Sequence, residues 1–450
     1  MVFSSVEFIY LFLPIAVGGY FLCPRRLKNL WLFAVSLFFY AYGEPVYVLL
    51  MIFAALAGYL FGMAIERWQR RKGFFLWAAV AFYVGLLFFF KYLGLICKIL
   101  SLPTFDVPLP IGISFYTFQA LSYVIDVYRG DTGSERSFVN FGAYLSLFPQ
   151  LIAGPIVKYT DVAVELSDRR HSVRKIASGI GRFCVGLAKK AILANGAGAL
   201  GESVIEGRDL TSLLLWLLLF ACQIYYDFSG YSDMAIGLGR IFGFEFPENF
   251  NYPYISESIT DFWRRWHMTL SGWFREYVYI PLGGNRRGHF RTVLNLFIVW
   301  SLTGLWHGAQ VNFLLWGIYF FLILVTEKYL LRNILARAPR ILCRAYALCL
   351  ILAGWLIFAA DRFDGALVSD ILANPIVDGR TVYLFLRSIP FLAILITGVT
   401  PIPKRIFERL RRSAPVATYG IECILLIFSL ILSTAYIVSS GYNPFLYFRF

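Results

Sequence analysis

Charge is what this chain of 450 residues has least of: Asp, Glu, Lys and Arg together make 15% of it, against 59% hydrophobic residues. With a mean hydropathy of +0.67, there is too little polar surface to cover a water-soluble globule, and a soluble protein is excluded. Acidic residues are the scarcer sign, 27 against 41 basic, and they form no acid-rich cluster that would suit a metal. Only four histidines occur. Seven cysteines (Cys23, Cys97, Cys184, Cys222, Cys343, Cys349 and Cys423) show neither a CxxC pair nor metal-ligand spacing, which makes them small apolar packing residues. HExxH, GxSxG, the P-loop and GxGxxG are all missing, so the sequence offers no ground for a zinc peptidase, an elbow-type hydrolase or a nucleotide-binding enzyme. No fixed-period repeat, low-complexity tract or soluble stretch interrupts the chain, so a single membrane domain over 1–450 is expected.

What is abundant is apolar sequence in lengths that fit a bilayer. A hydrocarbon core of about 30 Å needs roughly 20 apolar residues per helix, and about eleven such spans are expected. They are read near 6–22, 29–43, 45–66 and 74–100 in the first third, and near 290–306, 308–326, 341–360, 381–400 and 417–440 in the last. The first run, "VEFIYLFLPIAVGGYFLC", lacks a basic leader and an A-x-A-like cleavage site, and reads as a retained span. The net charge of +14 gathers in "RWQRRKG" (67–73), "DRRHSVRK" (168–175) and "PKRIFERLRR" (403–412). Beside spans, such clusters mark cytoplasmic loops facing anionic lipid and imply no nucleic acid. The expected class is an all-α integral membrane protein with additional re-entrant or interfacial helices.

The centre of the chain is unusually polar. "LPTFDVPLPIGISFYTFQALSYVIDVYRG" sets prolines and glycines into an apolar stretch that ends on Asp126 and Arg129, and Pro149, Gly154 and Pro155 break the next. Irregular backbone survives at membrane depth only where protein or a cavity covers it, so a re-entrant or partly buried element is expected. Residues 174–200, with Arg182, Lys189 and Lys190, suit an amphipathic helix, and a strong span then ends in Asp227, ahead of a short helix with Asp233 and Arg240.

Two stretches could carry chemistry. "NYPYISESITDFWRRWHMTLSGWFREYVYIPLGGNRRG" concentrates Asp261, Arg264, Arg265, His267 and three tryptophans, Trp263 among them. A helix from about 258 would stack His267 over Trp263 and Arg264 and pair Asp261 with Arg265; an interfacial helix with snorkelling arginines is the other reading. "SLTGLWHGAQVNFLLWGIYF" places Trp306 and His307 inside an apolar run, with Gly304 and Gly308 at a G-x-x-x-G spacing that permits close backbone approach. An ionisable group at that depth normally faces a cavity or a partner. His171 and His289 lie in basic loops, so His267 and His307 suggest one shared site. A neutral imidazole without a metal set suits removal of a proton from a hydroxyl, which points to acyl transfer. A proton-coupled secondary transporter using the histidines with Asp227, Asp233 and Asp261 is the alternative, although its expected paired broken helices do not recur in matching positions.

"DFWRRWHMTLSGWFREYVYIPLGGNRRG" and "LTGLWHGAQVNFLLWG" resemble the membrane-bound O-acyltransferase family, in particular its bacterial alginate O-acetylase branch. Matching stretches run nearly end to end: "FSSVEFIYLFLPI", "LPIGISFYTFQALSYVIDVYRG", "FPQLIAGPIVKY", "YYDFSGYSDMAIGLGRIFGFEFPENFNYPY" and "NPFLYFRF". The resemblance implies a catalytic core over about 105–325 and tilted helices around a central tunnel. In it His307 would act as general base and His267 as the second active-site residue, positioning the donor or stabilising oxyanion charge with help from Arg264 or Arg265. Trp263, Trp306, Asp261 and Asp227 would line the tunnel. It further implies no bound cofactor or metal, acetyl-CoA or another acyl thioester as donor, and a polysaccharide acceptor such as alginate. Peptidoglycan, cellulose or teichoic acid are alternatives. A periplasmic esterase-like partner and a multi-pass setting in the bacterial inner membrane complete the expectation.

Overall fold

A computed structural model of the chain describes all residues except 104–106, 153, 364 and 440–450, so the terminal "NPFLYFRF" lies outside the described residues. Those described form helices and no strand, which makes this an all-α membrane protein. Among the described residues, eight helices are long and apolar enough to cross a bilayer, with Phe8–Leu22 as a shorter apolar helix. Three of the expected spans are not among the eight: Phe8–Leu22 and Lys28–Gly43 are too short, and Gly288–His307 is not one of them. Lys28–Gly43 stops at 16 residues, about 24 Å of rise and short of the hydrocarbon core. Elsewhere expected breaks are continuous helix: Val173–Ile205 and Leu210–Phe242 each run for 33 residues, where the sequence suggested an amphipathic segment and a span followed by a short helix. The first stays unbroken by absorbing an extra residue in a π-turn, Lys189–Ala194, a feature found often at functional sites.

Contacts divide the chain into two compact units, Met1–Phe183 with Tyr231–Glu248, and Cys184–Gly230 with Asn249–Phe450. In the first, the Tyr47–Arg67 helix packs on Lys72–Lys91 and Ile113–Arg129, and small residues set the approach. A Cβ at Gly58 would lie 2.6 Å from the Tyr83 hydroxyl, and one at Gly62 would lie 2.6 Å from that of Tyr123. Both hydroxyls are engaged: Tyr83 donates to Ala54 O at 2.7 Å, and Tyr123 accepts from Glu135 N at 2.9 Å. Phe3, Phe8, Phe12, Phe39 and Phe148 interlock nearby, with ring centroids 4.7 Å apart for Phe3 and Phe8 and 5.2 Å for Phe12 and Phe148. Within the disrupted stretch, residues 107–112 are non-helical and lead into a buried helix, Ile113–Arg129, whose Thr117, Gln119, Ser122 and Asp126 all face protein. Gly112, at φ +76°, makes the turn into it; a Cβ there would meet Leu151 O at 2.7 Å. In the same unit Asp233 is held by Arg182, whose Nε and Nη2 donate to Oδ1 at 3.0 and 2.8 Å.

The second unit holds the remaining long helices and the short ones between residues 253 and 279. Its tightest pairing is the hairpin of Gly288–His307 and Val311–Thr326. All seven cysteines are free thiols; Cys97, Cys184, Cys222 and Cys343 are buried, while Cys349 and Cys423 are exposed.

Candidate active site

His307 is the last residue of the Gly288–His307 helix. The chain turns through 308–310 and re-enters helix at Val311, and the close return is possible because three positions lack a side chain. A Cβ at Gly304 would sit 2.4 Å from Phe313 O, one at Gly317 2.4 Å from Trp300 O, and one at Gly308 2.5 Å from the Phe313 ring. The glycine spacing read in the sequence therefore does bring two backbones together. The returning helix and the end of Arg340–Phe358 then wall the imidazole: Trp316 and Phe358 meet His307 edge to face at centroid distances of 5.0 and 5.2 Å, and Phe313 lies at 6.3 Å. Trp316, Phe313 and Phe358 are buried and His307 keeps partial exposure, so the ring is fixed and still reachable. Its place at a helix C-terminus also stabilises positive charge acquired with a proton.

Gly304→Ala is expected to disturb this arrangement, because the methyl group would collide with a backbone carbonyl that no rotamer can move. Overpacking of that kind costs about 1–3 kcal/mol. Thermal unfolding in detergent should show a clear loss for Gly304→Ala and none for Gly18→Ala, where a Cβ meets nothing within 4 Å; equal melting of both would remove the close-approach argument.

His267 is placed by different means. The continuous helix expected from about 258 does not form: Ile259–Trp263 ends after five residues, and a second short helix, Met268–Phe274, begins after His267. His267 itself has φ +45°, a left-handed backbone that a non-glycine residue adopts at a cost of order 1–3 kcal/mol and that clusters at functional sites. The break separates the groups that a helix would have stacked, leaving His267 buried and Arg264 exposed. The Asp261–Arg265 pair does form, with Nε to Oδ1 at 2.9 Å.

Asn249, a residue without a sequence signal, holds the strained turn. Its backbone oxygen accepts from Met268 N at 3.0 Å. Its Oδ1 accepts from Thr269 N and Oγ1 at 3.3 and 2.9 Å and lies 3.1 Å from His267 Nδ1. An oxygen already accepting from an amide fixes the side-chain orientation, so Nδ1 carries the proton and donates, leaving Nε2 as an acceptor. His267 lies outside the membrane-crossing helices, and burial pushes its imidazole down to about 3, so the ring is neutral near pH 7. Phe228 meets it edge to face at 4.7 Å and Trp306 at 5.9 Å. Trp306, next to His307, thus touches both imidazoles.

The other expected site residues take supporting places. Trp263 stacks among Trp300, Trp316 and Phe320 at 4.7, 5.4 and 5.0 Å, behind the wall of His307. Its short helix is held by Glu327, another residue without a sequence signal, whose carboxylate accepts from Ile259 N at 2.6 Å and from Thr260 N and Oγ1 at 2.8 and 2.6 Å. Asp227 is buried against Lys190 at 2.7 Å, one residue before Phe228. With Asp233 on Arg182 and Asp261 on Arg265, each aspartate considered for a proton path has a cationic partner.

Comparison with known proteins bears on this geometry directly. The membrane-bound O-acyltransferase family description matches residues 132–363, a stretch that includes Asn249, His267, His307 and their aromatic walls. The chain belongs to the membrane-bound O-acyltransferase family. A probable alginate O-acetylase AlgI of Azotobacter vinelandii is 42% identical over 381 residues, covering 81% of this chain and 76% of the relative. A protein of the same name from Pseudomonas putida is 37% identical over the full length of both chains. A peptidoglycan O-acetyltransferase of Helicobacter pylori is 33% identical, over 82% of this chain and 78% of its own. This member of the membrane-bound O-acyltransferase family is therefore a multi-pass membrane enzyme that transfers an acyl group to a hydroxyl, and the transporter reading falls away.

Proposed function

We propose that the chain transfers an acetyl group from a thioester donor, acetyl-CoA in the simplest case, to a hydroxyl of an exported polysaccharide of the alginate type or of a periplasmic partner protein, across a bacterial inner membrane. The observation that carries the reading is the pair of imidazoles on either side of Trp306, one buried and of fixed tautomer, the other walled by aromatics yet partly open. In this reading His307 takes the proton of the acceptor hydroxyl as the oxygen attacks the thioester carbonyl; the C–S bond breaks, and the imidazolium returns the proton to the leaving thiolate. Aromatic walls that exclude water favour transfer over hydrolysis. With Nδ1–H committed to Asn249, His267 offers Nε2 as an acceptor, which suits holding an N–H or O–H group of a substrate. A neutral acceptor nitrogen repels an oxyanion, so the donor-positioning role is favoured over oxyanion stabilisation.

Support for acetyl as the group and for a saccharide acceptor comes from the names of the alginate and peptidoglycan relatives. The test is transfer of radiolabelled acetyl from acetyl-CoA by membranes holding matched amounts of wild type, His267→Ala and Arg264→Ala, offered alginate or peptidoglycan fragments. His267→Ala should lose at least about tenfold in transfer, while Arg264→Ala, at an exposed turn, keeps most of it. Retained transfer in His267→Ala, or a greater loss in Arg264→Ala, would reverse the assignment. Label on peptidoglycan alone would move the acceptor to the second relative's substrate.

A further inference from the structure

Outside the candidate active site, the first unit gathers cations around Tyr20. Tyr20 lies at the end of the first apolar helix, Leu13–Leu22. It donates to Phe242 O at 2.9 Å and accepts from His171 Nε2 at 3.1 Å. Lys28 Nζ stands 4.4 Å from the centre of the Tyr20 ring, and the Arg169 guanidinium lies 5.6 Å from the same ring and 4.8 Å from Phe244. Arg169 is held there by Asn29, which accepts from Nη2 and is itself tied to Asn140 and Leu166 O at 2.7 and 2.8 Å.

The neighbouring Lys175 has a counter-charge, Glu245 at 2.9 Å. Among the described residues, none within ion-pair distance serves Arg25, Lys28 or Arg169. The repulsion registers on the groups outside the spans: Lys28 is lowered by burial and then by Arg169 and Arg25. His171 is lowered by burial and then by Lys28, Arg169, Lys175 and Arg25. A fold that fixes like charges together, partly desolvated, accepts an unfavourable energy that an anion would relieve. Cation–π contact with Tyr20 and Phe244 offsets part of it and supplies no negative charge.

The apolar flanks say what kind of anion fits. Leu22 is 88% and Val173 85% exposed, and Phe21 is exposed as well, so large apolar side chains border the cations. That combination is the signature of a membrane interface, where acyl chains and a charged headgroup are met together. Basic loops beside spans also face the anionic cytoplasmic leaflet.

We propose that Arg25, Lys28, Arg169 and His171 form a binding site for a phosphate-bearing anion, the headgroup of an anionic phospholipid, whose acyl chains lie along Phe21, Leu22 and Val173. The proposal uses neither His267 nor His307 and does not rest on the acceptor or donor assignment.

The test is native mass spectrometry of the purified full-length chain released from nanodiscs of mixed phosphatidylcholine and phosphatidylglycerol, with Arg25→Gln/Lys28→Gln as the variant. Neither residue is fixed by a hydrogen bond to a side chain, so the fold should survive, as unchanged acyl transfer and elution would show. Wild type should retain phosphatidylglycerol in preference to phosphatidylcholine, and the variant should lose on the order of tenfold in that preference. Lys28→Arg should keep it. Absence of preference in wild type, or equal retention by wild type and variant, would overturn the site. Titration with inorganic phosphate and with coenzyme A is the second arm. Displacement of phosphatidylglycerol by either at low concentration would make the ligand a soluble phosphate and overturn the lipid assignment.

Discussion

His307→Ala is expected to lower acetyl transfer by roughly two to four orders of magnitude while the protein still accumulates in the membrane. The size follows from the step removed: a positioned general base contributes about 10²–10⁴, or about 3–5 kcal/mol of barrier at 1.36 kcal/mol per decade. Stability should change far less. Trp316, Phe313 and Phe358 pack on one another as well as on the imidazole, with Trp316 and Phe358 5.5 Å apart and Phe313 and Phe358 4.9 Å apart, so the wall persists without the ring. The loss should fall on kcat, with KM for the thioester little moved, because the base acts on the acceptor proton in the transition state. Wild-type transfer in the variant would remove His307 from the chemistry. Loss of the protein along with the activity would instead make the imidazole a packing residue of the hairpin.

What could be read from sequence was whatever obeys local rules. Gly304 and Gly308 announced a close approach because spacing along one helix face is a local property. Asp261 and Arg265 announced a pair for the same reason. What escaped depends on partners far along the chain. Nothing near residue 260 signals that Glu327, 67 residues later, will cap that helix. Nor does anything near His267 signal that Asn249 will take its Nδ1 proton across 18 residues. The continuous helix expected from about 258 failed for a related reason: its residues have ordinary helical propensity, and the left-handed turn at His267 is imposed by Asn249, which binds the backbone N–H groups of Met268 and Thr269. Tertiary contacts overrode a local preference at a position whose side chain is a candidate for chemistry, as strained positions do.

The two longest helices show the complementary limit. Hydropathy treats a charged residue inside an apolar run as a break, but a charge that finds a buried partner lets the helix continue. Lys190 and Asp227 do this for each other inside Val173–Ile205 and Leu210–Phe242. Two apparent interruptions thereby become one contact between uninterrupted helices.

That contact carries the second large prediction. Lys190 and Asp227 are 2% and 4% exposed, with Nζ and Oδ1 2.7 Å apart, and Asn195 Oδ1 accepts a further hydrogen bond from Nζ at 3.1 Å. Removing one member of such a pair strands the other charge away from water, which costs about 3–5 kcal/mol, whereas replacing both by apolar residues of similar size is often neutral. Asp227→Leu and Lys190→Met should each melt far below wild type, and Asp227→Leu/Lys190→Met should recover most of the loss. Asp261→Ala, breaking a pair about 30% exposed on each side, should cost about 0–1 kcal/mol. Activity separates two roles for Asp227. If it acts by holding its helix so that the adjacent Phe228 seats His267 at 4.7 Å, the double variant regains transfer together with stability. If Asp227 instead lines the donor's path, as the family resemblance suggested, the double variant is stable and inactive, with KM for the thioester raised. The burial of both charges and the short contact between them favour the first outcome, because a carboxylate already neutralised by an ammonium at 2.7 Å has little charge left to offer a substrate.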